Sequence, residues 1–429
     1  MPTILLAIFV VGVNFTLWAI IGCLRVIDDR REARFGRPLR LIHSDQIAVL
    51  IAAHNEEPVL RTSIDSVTPL LGHDHVFVVS DGSTDGTVEV ARRAQVAVLD
   101  LHPNRGKAGA LKAGLEHFGL LDRFSAVMFL DADSEVHPRY FTEGSVQLAD
   151  ADVAAVAGYC RVVWRFDGLS LAGKLILGHR NRLYTITQVL QKFGQTWKRA
   201  SVCYIVPGFA SIYRTDVLRM IDIDPHGLVI EDFNMTFEVH RKHLGRISLT
   251  RGAAAFSQDP HTLRDYISQV RRWNLGFWQT IRHHGVWASW FWAAVGLFVA
   301  EVITSSVLLL LVPLIALVLA LPDLTGQLAL QWGWFAGVHD AVTNWFSWWT
   351  LLYGVVLPDY ALTVIIAVAQ RRPRVLLLGL CSLPFRTLDA WLGLSMIPRA
   401  WTTTSTGQWR SPERRSAAPS ADAADTSAA

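Results

Sequence analysis

The residues best suited to chemistry in this sequence are carboxylates that end apolar runs. In FLDADSEV, residues 129–136, a strand-like run delivers Asp131 and Asp133 at i and i+2, which point the same way if the strand continues. Two carboxylates this close repel unless a cation lies beside them. Hard oxygen ligands with open positions suit Mg2+ or Mn2+, which can also hold a diphosphate. The plainer reading is a solvated acidic turn. It is weakened by Asp81, which ends a second apolar run in VVSDGSTDGT, residues 78–87. Asp81 there can accept hydrogen bonds from a base or a ribose, although Ser83, Thr84 and Asp85 would also serve as helix caps.

Three further stretches carry candidate groups. NRGKAGALKAGL, residues 104–115, sets Arg105 and Lys107 at the start of a small-residue helix. Helix N-terminal N–H groups plus a cation favour an anionic ligand, and the spacing is not that of a Walker P-loop. A packed helix with solvated basic residues explains this stretch equally well on its own. LVIEDFNMTFEVHRK, residues 228–242, places Glu231 and Asp232 where an apolar run enters a helix. They either cap that helix or, beside a metal-bound diphosphate, supply a general base whose neighbour helps raise its pKa. In QVRRWNLGF, residues 269–277, a helix over 262–284 would gather Gln269, Arg272 and Trp273 on one face. Leu263, Tyr266, Val270, Phe277 and Ile281 would form an apolar stripe about 120° away. That geometry predicts a helix with its apolar side in lipid and Gln–Arg–Trp turned toward the protein, with Arg271 pointing elsewhere.

These residues need a scaffold. Over 45–260, apolar runs IAVLIAA, HVFVVS and AVMFLDA alternate with helical patterns such as PVLRTSIDSVTPLL, which predicts an α/β domain with a mostly parallel, covered sheet. Ligands of such sheets sit at the carboxyl ends of the strands, where the candidates fall. The whole chain of 429 residues is 51% hydrophobic and 18% charged, with sixteen tryptophans, a balance suited to partial immersion in lipid. A net charge of +3 gives no case for nucleic acid. The four cysteines are far apart with no CxxC, so neither a disulfide framework nor a zinc site is expected.

Residues 3–24 are long enough to span a bilayer and are followed by Arg25, Arg30, Arg31, Arg34, Arg37 and Arg40. Charge after the apolar run marks an uncleaved anchor over 1–25, with the catalytic domain cytoplasmic. An interface region over 261–288 leads to transmembrane or interfacial helices over 289–398, drawn from segments 289–321, 348–369 and 375–398. Pro384, Arg386 and Asp389 make the last of these less regular. The tail, 399–429, ends in a Ser/Ala/Asp/Pro-rich, disordered-type stretch. Three spans would put it outside, whereas Arg399, Arg410, Arg414 and Arg415 would hold it inside.

Taken in order, IAAHNEE, VVSDGSTDGT, NRGKAGALKAGL, FLDADSEV, VPGFASIYR, IEDF and QVRRW resemble the motif series of membrane-embedded family-2 glycosyltransferases: the hyaluronan, chitin, cellulose and poly-N-acetylglucosamine synthases. The resemblance covers about 47–280. It implies a GT-A catalytic domain joined to an α-helical transmembrane region, with Asn55, Glu56, Asp81 and Lys107 on the nucleotide sugar. Asp131 and Asp133 would hold Mg2+ or Mn2+ and the diphosphate, Asp232 would be the general base, and Arg272 would stabilise the leaving diphosphate. Gly208, Glu231, Gln269 and Trp273 would border the acceptor. The departures are Ala53 and His54 before Asn-Glu, Ile230 where many relatives have Thr, and one N-terminal segment where several relatives have more. TSTGQWRSP, residues 404–412, faintly resembles the Trp-containing gating loops of these synthases.

The resemblance implies a processive, inverting transferase in the plasma membrane. It would pass a hexose from a UDP-sugar, best matched by UDP-N-acetylglucosamine, to a growing β-linked glycan and move the chain across the bilayer. Trp332, Trp334, Trp345, Trp348 and Trp391 would line its path or, more simply, form an interface belt. The alternatives are a non-processive transferase acting on a lipid or lipid-linked acceptor and, more remotely, a nucleotide-binding transporter or scaffold without catalysis.

Overall fold

The computed structural model describes residues 2–32 and 42–405. Its centre is one eight-stranded sheet: β1 (Ile47–Ala53), β2 (Val76–Asp81), β3 (Ala97–Leu101), β4 (Ala126–Asp131), β5 (Ser134–Val136), β6 (Val153–Val162), β7 (Ala210–Arg214) and β8 (Arg246–Ser257), in the order β3-β2-β1-β4-β7-β6-β8-β5. All seven residues of β1 are buried, because helices cover both faces of the sheet. Ile47, Val49, Ile51 and Ala53 enter one core, while Ala48, Leu50 and Ala52 enter the other, as the two-residue side-chain period of a strand requires.

The expected parallel sheet is found in β3-β2-β1-β4, with Ala52 opposite Asp131 and Ala53 opposite Ser80. Beyond β4 the sheet is mixed: β7 runs antiparallel to both β4 and β6, and β5 antiparallel to β8. This reversal matters for the site. A parallel strand beside β4 would bring its carboxyl end to Asp131, whereas antiparallel β7 brings its start, so Ala210 lies opposite Leu130 and the Asp131 N–H donates to Phe209 O at 2.8 Å. Gly208 thereby reaches the carboxyl end of β4.

Three helices, Trp290–Leu324, Trp348–Ala369 and Arg374–Thr402, are long and apolar enough to cross a membrane, which marks the chain as a membrane protein. The N-terminal segment is not one straight anchor. Helices Pro2–Val11 and Val13–Glu32 meet at a 61° bend, made at Gly12, whose φ of +99° suits glycine. Glu301, inside segment 289–321, accepts the Asn14 N–H and so satisfies the start of the second helix. That helix continues past residue 25: Arg25 is buried against Phe193, donating to its carbonyl and to Thr196 Oγ1, each at 2.8 Å. Arg34, Arg37 and Arg40 lie outside the described residues, as do Arg410, Arg414, Arg415 and most of TSTGQWRSP.

The charges expected to make 375–398 irregular are paired. Arg386 Nη1 and Arg182 Nη2 both donate to Asp359 Oδ1, at 2.6 and 2.7 Å, and Asp389 accepts from Tyr266 Oη at 2.6 Å. The helix expected over 262–284 runs Leu263–His284, with the Thr262 side chain accepting from Asp265 N. Its apolar stripe, however, does not face lipid. Tyr266 and Val270 pack with Ile176 and Leu392, and Phe277 packs with Phe233 and Val295. Helix Ser382–Thr402 and the start of Trp290–Leu324 supply that apolar cover, and Leu263 is the stripe residue left exposed. Trp332, Trp334, Trp345, Trp348 and Trp391 are each more than half exposed.

Candidate active site

The carboxyl ends of β1, β2 and β4 and the start of β7 form the rim of one cleft. The Ala53–Glu57 turn is knitted to the loop after β2: Asn55 Oδ1 accepts from Thr84 N at 2.8 Å, Glu56 N donates to Thr87 Oγ1 at 2.9 Å, and Glu57 Oε2 accepts from Gly86 N at 2.8 Å. Asn55 adopts φ +55°, a left-handed conformation that Asn tolerates. Asp81 is fully buried, and its Oδ1 accepts from Arg105 N at 2.7 Å. It therefore fixes the start of helix Gly106–His117, while its Oδ2 has no partner among the described residues. Burial pushes the Asp81 carboxyl up, and the Arg105 and Gly106 N–H groups pull against that shift.

That helix start aims Lys107 into the cleft, where the side chain has three partners. Nζ lies 2.7 Å from Asp131 Oδ1 and 2.8 Å from Glu231 Oε1, and donates to Gly208 O at 3.1 Å. Gly208 N in turn donates to Asp232 Oδ2 at 3.2 Å, and Phe233 N to Asp232 Oδ1 at 2.7 Å. A Cβ at Gly208 would stand 2.9 Å from Glu231 Oε1 and 3.0 Å from Lys107 Nζ, so a side chain there would displace the Lys107–Glu231 contact. Lys107, Asp131, Gly208, Glu231 and Asp232, scattered in sequence, form one contiguous cluster.

The two adjacent carboxylates are not equivalent. For Glu231, burial acts to raise the pKa, but the Lys107 ammonium outweighs it and holds the group below its ordinary value. Asp232 has no ion pair among the described residues, and burial together with the Glu231 charge pushes it up to about 7 against the weaker pull of Lys107. Asp131 is raised by burial and by Asp133, against the pull of Lys107. Burial acts to lower the Lys107 pKa; Asp131 and Glu231 prevail and keep the ammonium charged.

Asp131 and Asp133 do not share a strand face, because β4 ends at Asp131 and β5 begins at Ser134. Asp133 is buried, within reach of Ser134 Oγ at 3.4 Å. Among the described residues no group of three or more His, Cys, Asp or Glu could hold a metal. The donor set is two hard carboxylates, which fits a hard divalent cation that takes its remaining ligands from a diphosphate and water.

Helix Leu263–His284 packs beside the cleft against Val229 and Ile230. Gly276 lets it approach Ile230, where a Cβ would lie 2.9 Å from Ile230 Cβ, and Gln279 Oε1 accepts from Val229 N at 3.1 Å. Ile230, the departure from the family's Thr, is thus the seat for this helix. Arg272 is exposed, with its charge acting on Glu231. Gln269 and Trp273 do not touch the Lys107 cluster; their partner is Arg180, on helix Leu171–Ile186. Sequence reading passed over Arg180. The available signal was HRNR, residues 179–182, four polar residues in a row directly after the apolar run LILG.

Residues 48–219 match the glycosyl transferase family 2 profile. The chain carries a family-2 glycosyltransferase domain. A poly-β-1,6-N-acetyl-D-glucosamine synthase of Staphylococcus epidermidis is 23% identical over 272 residues, 59% of this chain and 62% of that protein, so this chain spans about three fifths of that relative's length. A dolichyl-phosphate β-glucosyltransferase of Drosophila melanogaster is 32% identical over 146 residues, covering 30% of this chain and 40% of that one. A mannosyltransferase from Pyrobaculum calidifontis, solved with GDP-mannose and Mn2+, superposes with a TM-score of 0.50 at 16% identity, covering 89% of this chain and 99% of that one. The fold of the glycosyltransferase domain is GT-A, followed by its membrane helices.

Proposed function

We propose that this glycosyltransferase is processive and inverting, transferring a hexose from a UDP-sugar to the growing end of a β-linked glycan and passing the product through its own membrane helices. The observation that carries this reading is the split between Glu231 and Asp232. Lys107 engages Glu231 and leaves Asp232, raised to about 7, as the group able to take a proton near neutral pH. The acceptor hydroxyl attacks the anomeric carbon, Asp232 takes its proton, the bond to the diphosphate breaks, and UDP leaves. Lys107 and Arg272 balance the charge that develops on the leaving group.

Asn55, Glu56 and Asp81 border the nucleotide end of the cleft, and Gly208, Glu231, Gln269 and Trp273 the acceptor end. Asp131 and Asp133 would hold Mg2+ or Mn2+, which when bound supplies positive charge to the diphosphate. The catalytic domain would be cytoplasmic, in a plasma membrane, with the anchor, interface and transmembrane boundaries given above. N-acetylglucosamine is favoured as donor sugar by the likeness to the staphylococcal synthase. Purified protein in detergent, given radiolabelled UDP-sugars with Mg2+ or Mn2+ and sized on a gel, should yield a polymer ladder from one donor that disappears with a chelator. The likeness to the dolichyl-phosphate transferase favours a second reading, a single transfer to a lipid-linked acceptor. One added sugar on a lipid, with no ladder, would select it.

A further inference from the structure

His179, Arg180, Asn181 and Arg182 are each at most 5% exposed. Four consecutive helical residues sweep about 300°, so they cannot share a face, and they bond residues of more than one neighbouring helix. His179 bonds Asp389 at 3.0 Å, Asn181 bonds Gln370 at 2.8 Å, and Arg182 bonds Asp359 at 2.7 Å. Arg180 turns toward helix Leu263–His284, where the His179 ring also meets Tyr266 edge-on at 6.1 Å. Its Nη2 donates to Gln269 Oε1 at 2.6 Å, and its guanidinium lies 4.4 Å from the Trp273 ring centre and 4.7 Å from that of Tyr266.

Arg180 is completely buried, and its Nε and Nη1 have no hydrogen-bond partner among the described residues. A buried guanidinium in this state is costly, and an apolar side chain of similar volume would commonly fold at least as well. What only arginine supplies here is orientation. Its planar fork holds one amide oxygen while its flat face lies on an indole. With Oε1 of Gln269 engaged by Arg180, the amide presents its Nε2 donor to a ligand. The pairing thereby fixes which way round the amide sits.

We propose that Arg180 is a positioning residue of the acceptor subsite, setting the plane of Trp273 and the donor polarity of Gln269 so that the site recognises an oxygen acceptor on the incoming glycan, such as a hydroxyl or an acetamido carbonyl. The proposal rests on the assignment of Gln269 and Trp273 to the acceptor end. Arg180 touches neither donor nor acceptor; it acts through the two side chains it holds.

The test is a kinetic split in the full-length protein. With saturating UDP-sugar and increasing N-acetylglucosamine oligosaccharide, Arg180→Gln should need at least tenfold more oligosaccharide for half-maximal transfer. UDP affinity by calorimetry should stay within twofold, which also reports a folded cleft. Arg180→Lys keeps the charge without the planar fork and should show the same split, so it serves where the glutamine variant does not fold. In a Trp273→Ala background, Arg180→Gln should add little, because the group it orients is gone. Unchanged half-saturation, equal loss of UDP and oligosaccharide binding, or full additivity with Trp273→Ala would each overturn the proposal. Absence of transfer by the unaltered protein to any sugar acceptor would instead overturn the functional reading, and this inference with it.

Discussion

Two buried charge clusters in this chain are out of balance in opposite directions. At the cleft, Asp131, Glu231 and Asp232 gather around Lys107, with Asp133 two residues from Asp131. At the membrane bundle, Arg182 and Arg386 share Asp359. An anionic excess at strand ends raises one carboxyl toward neutrality and, in the proposed function, would hold a metal and supply the base. A cationic excess enclosed by helices ties those helices together. The difference shows that burial of charge does not by itself mark an active site; what matters is whether the cluster opens on a cleft and which sign is left over.

This contrast predicts that damage to the first cluster removes chemistry and damage to the second removes stability or coupling. Asp232→Asn should lower transfer by about 10³-fold, the usual range for a lost general base, with UDP affinity kept; retained turnover in a radiolabel assay would remove Asp232 from its role. Because its folded pKa lies above the ordinary value, ionised Asp232 costs folding stability as pH rises from about 4 through 7. The same variant should therefore raise the apparent melting temperature, and more at pH 8 than at pH 5. Arg272→Ala should cost about 10²-fold in transfer, as loss of one charge-stabilising donor does.

At the other cluster, Asp359→Ala leaves two arginines facing each other and should destabilise the detergent-solubilised protein by about 3–5 kcal/mol. UDP affinity before unfolding should be unaltered, and a matching fall in that affinity would erase the distinction between the clusters. The transfer rate of the unaltered protein should rise about tenfold per pH unit below 7 and level off above it, since only ionised Asp232 accepts a proton. A flat profile from pH 5.5 to 8 would contradict the assignment. Smallest of all, Arg271→Ala should change transfer by less than about threefold, within the usual range of exposed substitutions away from a site. A loss equal to that of Arg272→Ala would mean that the two arginines are not separated by the helix as described.

Much of the cleft was legible because its signals are local. Apolar runs of five to seven residues that end in Asp81 and Asp131 state both the strand and the end at which a ligand sits. The start of helix Gly106–His117 and the Glu231–Asp232 pair are likewise read from a few neighbouring residues. The unread features are those in which distant residues must meet. Nothing near Lys107 in sequence says that it will take Asp131, Glu231 and the Gly208 carbonyl together. Nothing near Glu301 says that it will satisfy a bend around Gly12, and HRNR names no partner. The apolar stripe of helix Leu263–His284 was visible as a stripe, but lipid and a neighbouring helix ask for the same side chains.

The sequence by itself determined strands β1, β2 and β4, helices Gly106–His117 and Leu263–His284, the membrane-length segments and the order in which carboxylates, lysine and the Gln-x-x-Arg-Trp group follow them, because periodicity acts over a few residues. Only the tertiary structure decided that β7 runs antiparallel and sets Gly208 beside Asp131, that Lys107 engages Glu231 and leaves Asp232 to rise toward neutrality, and that Arg180 stands behind Trp273. Each of these depends on which charges share a desolvated space. That is set by packing between segments some hundred residues apart, and no local pattern encodes it.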